Sequence, residues 1–131
     1  MSIFKRSKEK KRVLVVEDDE MLSNALVTII EDSGYLAEKV ENGLEVLEKA
    51  GTFNPDLILL DIILPGLDGF GVLKELKNES KLKSIPVVIL SNLDKPADVK
   101  SVKILGAVDY IIKARVDMEE VVKIIKKYIK K

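Results

Sequence analysis

Short apolar runs alternate with longer amphipathic segments along the 131 residues of this chain. Four of the runs are dense in aliphatic residues and short, at 13–16, 57–60, 87–90 and 108–112. Runs of this length are typical of strands that are buried on both faces, as in a parallel sheet. The pattern therefore predicts four such strands, and a further short strand is predicted at about 36–40.

Between the strands, apolar residues recur at helical spacing, and the ends of these segments carry typical cap residues. Asn42 and Asp117 each precede a glutamate by three positions, which is the capping-box pattern. Glycine is favoured just after a helix and proline in its first turn. On these signals five helices are predicted: one from about Met21 that Gly34 ends, one from Asn42 to Gly51, one from Asp68 through Leu76, one over 95–105 and one over 117–129.

Strands and helices alternate five times along the chain, and the connections between them are short. Two parallel strands of one sheet are joined by a right-handed crossover in nearly all proteins. The alternation therefore predicts a doubly wound α/β fold, in which helices cover both faces of a five-stranded parallel sheet. We expect the first strand to lie beside the third, with a cleft between them.

Polar and charged residues directly follow four of the predicted strands. Glu17 and Asp18 follow the first strand, Asp61 the third, Ser91 the fourth and Lys113 the fifth. The carboxyl ends of parallel strands lie at one edge of the sheet, and ligands bind in the crevice outside them. We therefore expect these side chains to share one crevice.

Three carboxylates in one crevice require a compensating charge. Two carboxylates ~4 Å apart repel by about 4 kcal/mol at an effective dielectric constant of about 20, and a bound cation removes this cost. The chain contains no His and no Cys, so a cation must be held by oxygen. Oxygen ligands indicate a hard cation, Mg²⁺ first, with Mn²⁺ or Ca²⁺ as alternatives. Together with Ser91 and Lys113, such a site fits phosphoryl transfer onto a carboxylate.

Length and charge limit the remaining possibilities. A chain of this length forms one domain, and it contains neither a secretory signal nor the ~18 consecutive apolar residues of a membrane span. We therefore expect a cytoplasmic protein. Its formal net charge is zero, but residues 1–12 include six basic residues and one acidic residue. We interpret residues 1–11 as a flexible, solvated basic tail before a domain at 12–131, and we expect no direct binding of nucleic acid.

The polar residues at the strand ends, taken in order, resemble the motifs of a known family. They are similar to the receiver domain of the two-component response regulator family. The motifs are Val-Val-Glu17-Asp18, Asp61-Ile-Ile-Leu-Pro65-Gly66-Leu-Asp-Gly69, Ile-Leu-Ser91 and Tyr110-Ile-Ile-Lys113, within a region from about Arg12 to Lys127. The resemblance implies a flavodoxin-like (βα)₅ fold with strand order 2-1-3-4-5. It also implies a phosphorylation-activated signalling switch that promotes only its own phosphorylation and dephosphorylation and is not otherwise an enzyme.

Residue by residue, the resemblance implies how the acidic cluster works. Asp61 is the phosphoacceptor and also a ligand of Mg²⁺. Asp18 binds the metal directly, and Glu17 acts largely through a metal-bound water. Ile63 offers its backbone carbonyl to the same ion.

The resemblance also implies a switch and its partners. Ser91 and Lys113 bind the phosphoryl group, and Tyr110 turns inward when Ser91 closes on it. The phosphoryl group comes from a histidine kinase or a histidine phosphotransfer protein, and a phosphorylation-dependent dimer is a further expectation. A downstream protein is expected to bind the surface of helix 95–105, strand 108–112 and helix 117–129.

Two positions depart from the usual pattern of this family. Ala114 stands where a cis-proline commonly follows the lysine, and a cis peptide before alanine would cost roughly 2.5–4 kcal/mol. We therefore predict a trans bond between Lys113 and Ala114 and an altered loop over 113–116. Asn92 follows the hydroxyl at a position where the family prefers a small residue. We expect its bulk to narrow the access to Asp61 and to slow phosphoryl entry or water attack.

Each of these residues alone has a simpler explanation. Asp61 by itself would be a solvated turn residue, Ser91 a loop hydroxyl and Lys113 a surface lysine. We assign Asp19 only to the N-terminus of the first helix, where the helix dipole favours an acid. The joint placement at four strand ends favours the functional interpretation.

Other classes of α/β protein fit less well. A flavodoxin-type FMN site needs hydroxyls after the first strand, a P-loop enzyme needs its Gly-rich motif, and a haloacid-dehalogenase-type phosphatase needs its nucleophile on the first strand. The alternative that remains is a pseudo-receiver, a constitutive protein-binding module that works without phosphorylation. The chain ends with its fifth helix, so we expect either a stand-alone regulator or an excised receiver.

Overall fold

The computed structural model of the protein describes residues 9–93, 95–115 and 117–129. Five strands in these ranges form one sheet, and every neighbouring pair is parallel. The strand order is β2-β1-β3-β4-β5, which confirms the predicted fold class and order. The strands are β1 (Arg12–Val16), β2 (Leu36–Val40), β3 (Leu57–Leu60), β4 (Val87–Ser91) and β5 (Asp109–Ile112).

Within the described residues, five α-helices join and follow the strands, and they cover both faces of the sheet. Helices α2, α3 and α4 pack on one face, whereas α1 and α5 pack on the other. The helices are α1 (Glu20–Asp32), α2 (Val46–Phe53), α3 (Gly69–Asn78), α4 (Pro96–Ile104) and α5 (Met118–Tyr128), with 3₁₀ turns at Gly43–Glu45 and Lys113–Arg115.

Successive residues of β1 belong to different hydrophobic cores. Val13 and Val15 pack against α1 and α5, whereas Leu14 and Val16 pack beneath the other three helices. None of the four side chains is more than 1% exposed. Because both faces of the strand must be apolar, its sequence is an unbroken aliphatic run.

Aspartate side chains cap three of the helices. The predicted caps Asp68 and Asp117 form, and Asp19, predicted only as an N-terminal acid, also caps its helix. Each carboxylate accepts a hydrogen bond from the backbone N–H three residues on, and such a cap typically contributes about 1 kcal/mol. The donors are Leu22 at 3.2 Å, Gly71 at 3.0 Å and Glu120 at 2.9 Å.

Helix α2 differs from its prediction at both ends. The side chain of Asn42 accepts a hydrogen bond from the backbone N–H of Leu44 at 2.8 Å, but it caps the 3₁₀ turn that precedes the α-helix. The helix also continues past Gly51 to Phe53, because that phenylalanine is buried in the core, and Asn54 ends it with a left-handed φ of 54°. Tertiary burial therefore outweighs the helix-stop signal of the glycine.

The remaining boundaries differ from the predictions by one or a few residues. Strand β5 begins at Asp109, although the backbone N–H of Val108 already donates to the carbonyl of Val87 at 2.9 Å. Helices α4 and α5 lie one residue inside the predicted ranges 95–105 and 117–129 at each end.

The predicted N-terminal tail is only partly within the described residues. Residues 1–8 lie outside them, and residues 9–11 are exposed and form neither strand nor helix. Arg12 starts the sheet, where its backbone N–H donates to Asp56 at 2.8 Å and its guanidinium donates to the carbonyl of Phe53 at 2.9 Å. Among the helices that the structure describes, none is long and apolar enough to cross a membrane.

Candidate functional site

The pairing of β1 with β3 places two of the predicted acids side by side. Val16 is in register with Leu60, so the next residues, Glu17 and Asp61, leave the sheet together. The backbone N–H of Asp61 donates to the carbonyl of Val16 at 3.0 Å, which extends the pairing by one residue. The position of Asp61 at this edge is therefore fixed by backbone hydrogen bonds rather than by a flexible loop.

The third predicted acid completes a cluster at this edge of the sheet. Glu17, Asp18 and Asp61 each offer a carboxylate oxygen, and these oxygens lie within 4.8 Å of one another. Glu17 is 2% exposed and Asp61 is 5% exposed, whereas Asp18 is exposed. Two buried carboxylates and one facing solvent form an acidic pocket that is open on one side.

Lys113 reaches this pocket from the end of β5. Its Nζ lies 2.8 Å from Oδ2 of Asp61 and 2.7 Å from Oε1 of Glu17. The contact with Asp61 is a hydrogen bond, whereas the contact with Glu17 is an ion pair without hydrogen-bond angles. One ammonium group therefore faces both buried carboxylates, as the sequence predicted for a shared crevice.

Burial and charge act in opposite directions on Glu17. Burial raises the pKa of its carboxyl group above the ordinary value of 4.5. Interaction with Lys113 and a hydrogen bond from the N–H of Asp19 oppose this change, while the charge of Asp61 adds to it. The net pKa is raised, so a negative charge at this position is not fully compensated by the protein itself.

Opposing effects also act on Lys113. Burial by itself lowers the pKa of its ammonium group, but the interactions of that group with the carboxylates of Asp61 and Glu17 outweigh burial and raise the pKa. Lys113 therefore remains a cation at neutral pH, which the predicted binding of phosphoryl oxygens would require.

The donor set of this pocket fits a hard divalent cation. The acidic cluster offers only oxygen, and one of its three carboxylates is exposed and accessible to a hydrated ion. Mg²⁺ prefers one or two carboxylates together with water, and a divalent charge would offset the unfavourable ionisation of Glu17. Ile63, predicted to offer its carbonyl, lies beside the pocket and donates its backbone N–H to Oδ1 of Asp61 at 3.2 Å.

Ser91 and Tyr110 lie on the two strands beyond β3. The hydroxyl oxygen of Ser91 is fully buried and has no hydrogen-bond partner among the described residues. An unsatisfied buried hydroxyl costs free energy, so this group is available to an incoming acceptor. Tyr110 is half-buried on β5, and its hydroxyl donates to the backbone carbonyl of Leu93 in the loop after Ser91.

The two positions that depart from the family pattern contact each other. The side-chain oxygen of Asn92 accepts a hydrogen bond from the backbone N–H of Ala114 at 2.9 Å. The described residues contain no cis peptide bond, so the predicted trans bond between Lys113 and Ala114 is confirmed. Residues Lys113–Arg115 of this loop form a 3₁₀ turn, and residue 116 lies outside the described residues. The altered path of the loop therefore stays a prediction.

Sequence patterns did not reveal the backbone groups that complete this site. The N–H of Asp19 donates to Oε2 of Glu17 at 3.0 Å, and the carbonyl of Leu93 holds Tyr110. Backbone groups are present at every residue and therefore carry no sequence signal. The contact between Asn92 and Ala114 was also missed, although an alanine in place of proline restores an N–H donor that some acceptor could use.

The fold and the site together define a doubly wound α/β domain with an acidic, all-oxygen pocket at the carboxyl edge of its sheet. Residues 13–126 match the family model described as the response regulator receiver domain. The chain belongs to this family. Receiver domains in general act as phosphorylation-controlled switches of two-component signalling and bind Mg²⁺ at an acidic pocket.

Individual relatives support the same assignment. The polar-differentiation response regulator DivK of Brucella anthropi is 36% identical over 119 residues, covering 91% of this chain and 96% of that protein. The chemotaxis protein CheY4 of Vibrio cholerae superposes with a TM-score of 0.86 at 26% identity, covering 92% of this chain and all of that one. The phosphorylated cyanobacterial phytochrome response regulator RcpA superposes with a TM-score of 0.76 at 30% identity, and 91% of each chain is covered.

Proposed function

We propose that this chain is a phosphorylation-activated switch whose phosphoacceptor is Asp61. The observation that carries the proposal is the position of the Lys113 ammonium, 2.8 Å from Asp61 and 2.7 Å from Glu17 at an all-oxygen acidic pocket. A lysine and a divalent cation on either side of one carboxylate are suited to bring a phosphoryl group and that carboxylate together. A solved relative is described as phosphorylated, which supports the same chemistry.

The proposed reaction transfers a phosphoryl group from a phosphohistidine of a histidine kinase or phosphotransfer protein. A carboxylate oxygen of Asp61 attacks the phosphorus atom, and the bond between phosphorus and the imidazole nitrogen breaks. That nitrogen keeps the electron pair and takes a proton from solvent. Later attack by water on the acyl phosphate releases inorganic phosphate and restores the carboxylate.

The residues around Asp61 would lower the barrier by charge and position. Mg²⁺, held by Glu17, Asp18, Asp61 and the carbonyl of Ile63, would supply positive charge to the phosphoryl oxygens. Lys113 would leave part of its ion pair with Asp61 and bind a phosphoryl oxygen, and the free hydroxyl of Ser91 would donate to another. The two buried acids, Ser91 and Lys113 lie at or directly after strand ends, which limits the reorganisation needed at the moment of transfer.

The signal would leave the domain through the surface formed by α4, β5 and α5. Along α4, an open groove of ≈ 640 Å³ is lined by both apolar and lysine side chains. Ile104 in this groove is 74% exposed. The loop between Ser91 and α4 joins this surface to the site. A downstream protein that binds the surface would therefore respond to a change in the position of that loop. We further propose that residues 12–131 form the receiver domain and 1–11 its basic tail.

Phosphorylation of Asp61 is tested with a small phosphodonor. The protein is incubated with acetyl phosphate and Mg²⁺, or with EDTA in place of Mg²⁺, and its intact mass is measured. We expect a mass increase of one phosphoryl group with Mg²⁺, little with EDTA, and none for Asp61→Asn. Asp68→Asn is the matched control, because Asp68 is an exposed helix cap, and it should be modified as the wild type is.

An adduct that persists in Asp61→Asn, or that forms equally well in EDTA, would contradict the proposal. If the wild type forms no adduct and binds no Mg²⁺ at millimolar concentration, the chain is a pseudo-receiver that binds its partners constitutively.

A further inference from the structure

Two loops at the mouth of the pocket are joined by a single side chain. Asn92 lies in the loop after β4, and its side-chain oxygen accepts a hydrogen bond from the backbone N–H of Ala114 at 2.9 Å. Ala114 lies in the 3₁₀ turn after β5. Both residues are exposed, so nothing in the core requires this contact.

The contact continues the link between β4 and β5 beyond the end of their pairing. Ser91 and Ile112 form the last register pair of these strands. Asn92 follows Ser91 directly, and Ala114 follows Lys113 directly. The hydrogen bond therefore joins the residues next to the hydroxyl and the ammonium that would bind a phosphoryl group.

The chemistry of both positions is needed for this bond. The donor is a backbone N–H, which proline would lack. The acceptor is a carboxamide oxygen on a short side chain, whose reach matches the gap between the loops. Alanine at 114 has no polar side chain of its own, so its only polar groups are those of the backbone.

A second contact holds the same loop from β5. The hydroxyl of Tyr110 donates to the backbone carbonyl of Leu93. The two residues after Ser91 are thus each connected to a residue in or just after β5. If Tyr110 changes position during switching, the contact of Asn92 with Ala114 still fixes the start of the loop.

We propose that Asn92 is a positioning residue that clips the loop carrying Ser91 to the turn carrying Lys113. The clip pre-organises the hydroxyl and the ammonium for a phosphoryl group on Asp61. This inference rests on the proposed function, and it assigns Asn92 a role through its hydrogen bond rather than through its bulk. Without the clip, the two loops must be ordered when the phosphoryl group binds, which weakens that binding.

The experiment separates hydrogen bonding from bulk with three variants of Asn92. Asn92→Ala removes both the hydrogen-bond acceptor and the bulk of the side chain. Asn92→Leu removes the acceptor but keeps the bulk, and Asn92→Asp keeps an acceptor oxygen. Asn24→Ala is the matched control, because the side-chain oxygen of Asn24 accepts an exposed hydrogen bond from Lys39 at 2.7 Å, outside the phosphoryl-binding pair.

Two measurements are made on the full chain with Mg²⁺ present. The first is the affinity for beryllofluoride, a mimic of the aspartyl phosphate, followed by amide NMR. The second is hydrogen exchange of the Ala114 amide in the absence of beryllofluoride. We expect Asn92→Ala and Asn92→Leu to bind beryllofluoride about three- to tenfold more weakly than the wild type, the range expected for one exposed hydrogen bond. Both should also exchange the Ala114 amide faster.

In Asn92→Asp the Ala114 amide should stay protected, and Asn24→Ala should match the wild type in both measurements. Wild-type affinity in Asn92→Leu together with tighter binding in Asn92→Ala would overturn the inference, because bulk alone would then matter. Unchanged exchange at Ala114 in every variant would overturn it as well. If the wild type itself does not bind beryllofluoride, the proposed function fails, which is a different outcome from a failure of the clip.

Discussion

Glu17 shows how single residues in this site are held in an unfavourable state. Its carboxyl group is 2% exposed, its pKa is raised chiefly by burial, and within the described part of the chain it pairs with the single ammonium group of Lys113. A hydrophobic residue would pack at this position without such a cost. We therefore interpret the carboxylate as serving the proposed cation site rather than the stability of the fold.

This interpretation predicts a pH-dependent stability difference. Because the folded-state pKa of Glu17 is raised, the folded protein binds this proton more tightly than the unfolded chain does. The contribution of Glu17 to stability is therefore least favourable above the folded pKa and improves as the pH falls toward 4.5. Without divalent cations, Glu17→Gln should be at least as stable as the wild type at pH 7, and its advantage should shrink toward acidic pH.

Urea unfolding in EDTA at a series of pH values measures this difference. Adding Mg²⁺ at pH 7 is the control, since the ion should stabilise the wild type more than a variant that lacks one anionic ligand. If the stability advantage of Glu17→Gln over the wild type grew as the pH fell, the predicted direction of the pH dependence would be wrong.

At the scale of elements, the start of α3 determines how closely a helix approaches the end of β3. The backbone N–H of Gly69 donates to the carbonyl of Ile62 at 2.7 Å. A Cβ atom at Gly69 would lie 2.5 Å from both the carbonyl oxygen of Asp61 and the Cα of Ile62. These neighbours are backbone atoms and cannot rotate away, so only glycine allows the helix to pack here.

We therefore predict that Gly69→Ala lowers the free energy of unfolding by about 1–3 kcal/mol, the usual cost of overpacking. It should also weaken beryllofluoride binding, because the strain falls on the backbone of Asp61. The matched control is Gly51→Ala within α2, where an added Cβ meets nothing within 4 Å. That variant should gain about 0.4–1 kcal/mol through lower unfolded-state entropy and better helix propensity.

Urea unfolding of both glycine variants, analysed with a common m value, gives the comparison. If Gly69→Ala proved as stable as Gly51→Ala, the close approach of α3 to Asp61 would not constrain the site.

For the whole molecule, one strand connects the proposed chemistry to the proposed output surface. Strand β4 ends at the buried Ser91, and the loop that follows it holds Tyr110 through the carbonyl of Leu93 before α4 begins. A phosphoryl group that binds the Ser91 hydroxyl would therefore displace a loop that already contacts β5. A charge-assisted hydrogen bond contributes on the order of 1.5–3 kcal/mol, which changes an active population by roughly ten- to a hundredfold.

We predict that Ser91→Ala separates phosphorylation from switching. Asp61 should still bind beryllofluoride, but the amide NMR shifts of residues 95–112 should change much less than in the wild type. Ser101→Ala is the matched control, because the Ser101 hydroxyl donates to the carbonyl of Ala97 within α4 at 2.9 Å, and this variant should switch normally. If residues 95–112 of the wild type do not respond to beryllofluoride, this surface is not coupled to the site.

Much of the fold was determined locally by the sequence. A strand that is buried on both faces of a parallel sheet needs an unbroken run of aliphatic residues. The bounds of β1, β3 and β4 were therefore predictable to within one residue. The aspartate caps were equally clear, because the side chain and the N–H that it binds are three residues apart. The resemblance to the family then implied the strand order, whereas the acids that follow the first and third strands already indicated the membership of the acidic cluster.

Boundaries that depend on packing were not predictable in this way. Helix α2 passes the glycine that should end it, because Phe53 gains more from burial than the helix loses at Gly51. A local pattern records propensities, whereas the end of a helix also depends on what lies beneath its last turn.

The site shows the same division between local sequence and long-range structure. Residue types at strand ends determined that three carboxylates and an ammonium would meet, since parallel strands bring their carboxyl ends together. Only the tertiary structure decided that Lys113 faces both buried acids and that Asn92 bonds to the backbone of Ala114. The reason is physical: such contacts join groups far apart in the chain, and their geometry depends on distances set by the packed sheet.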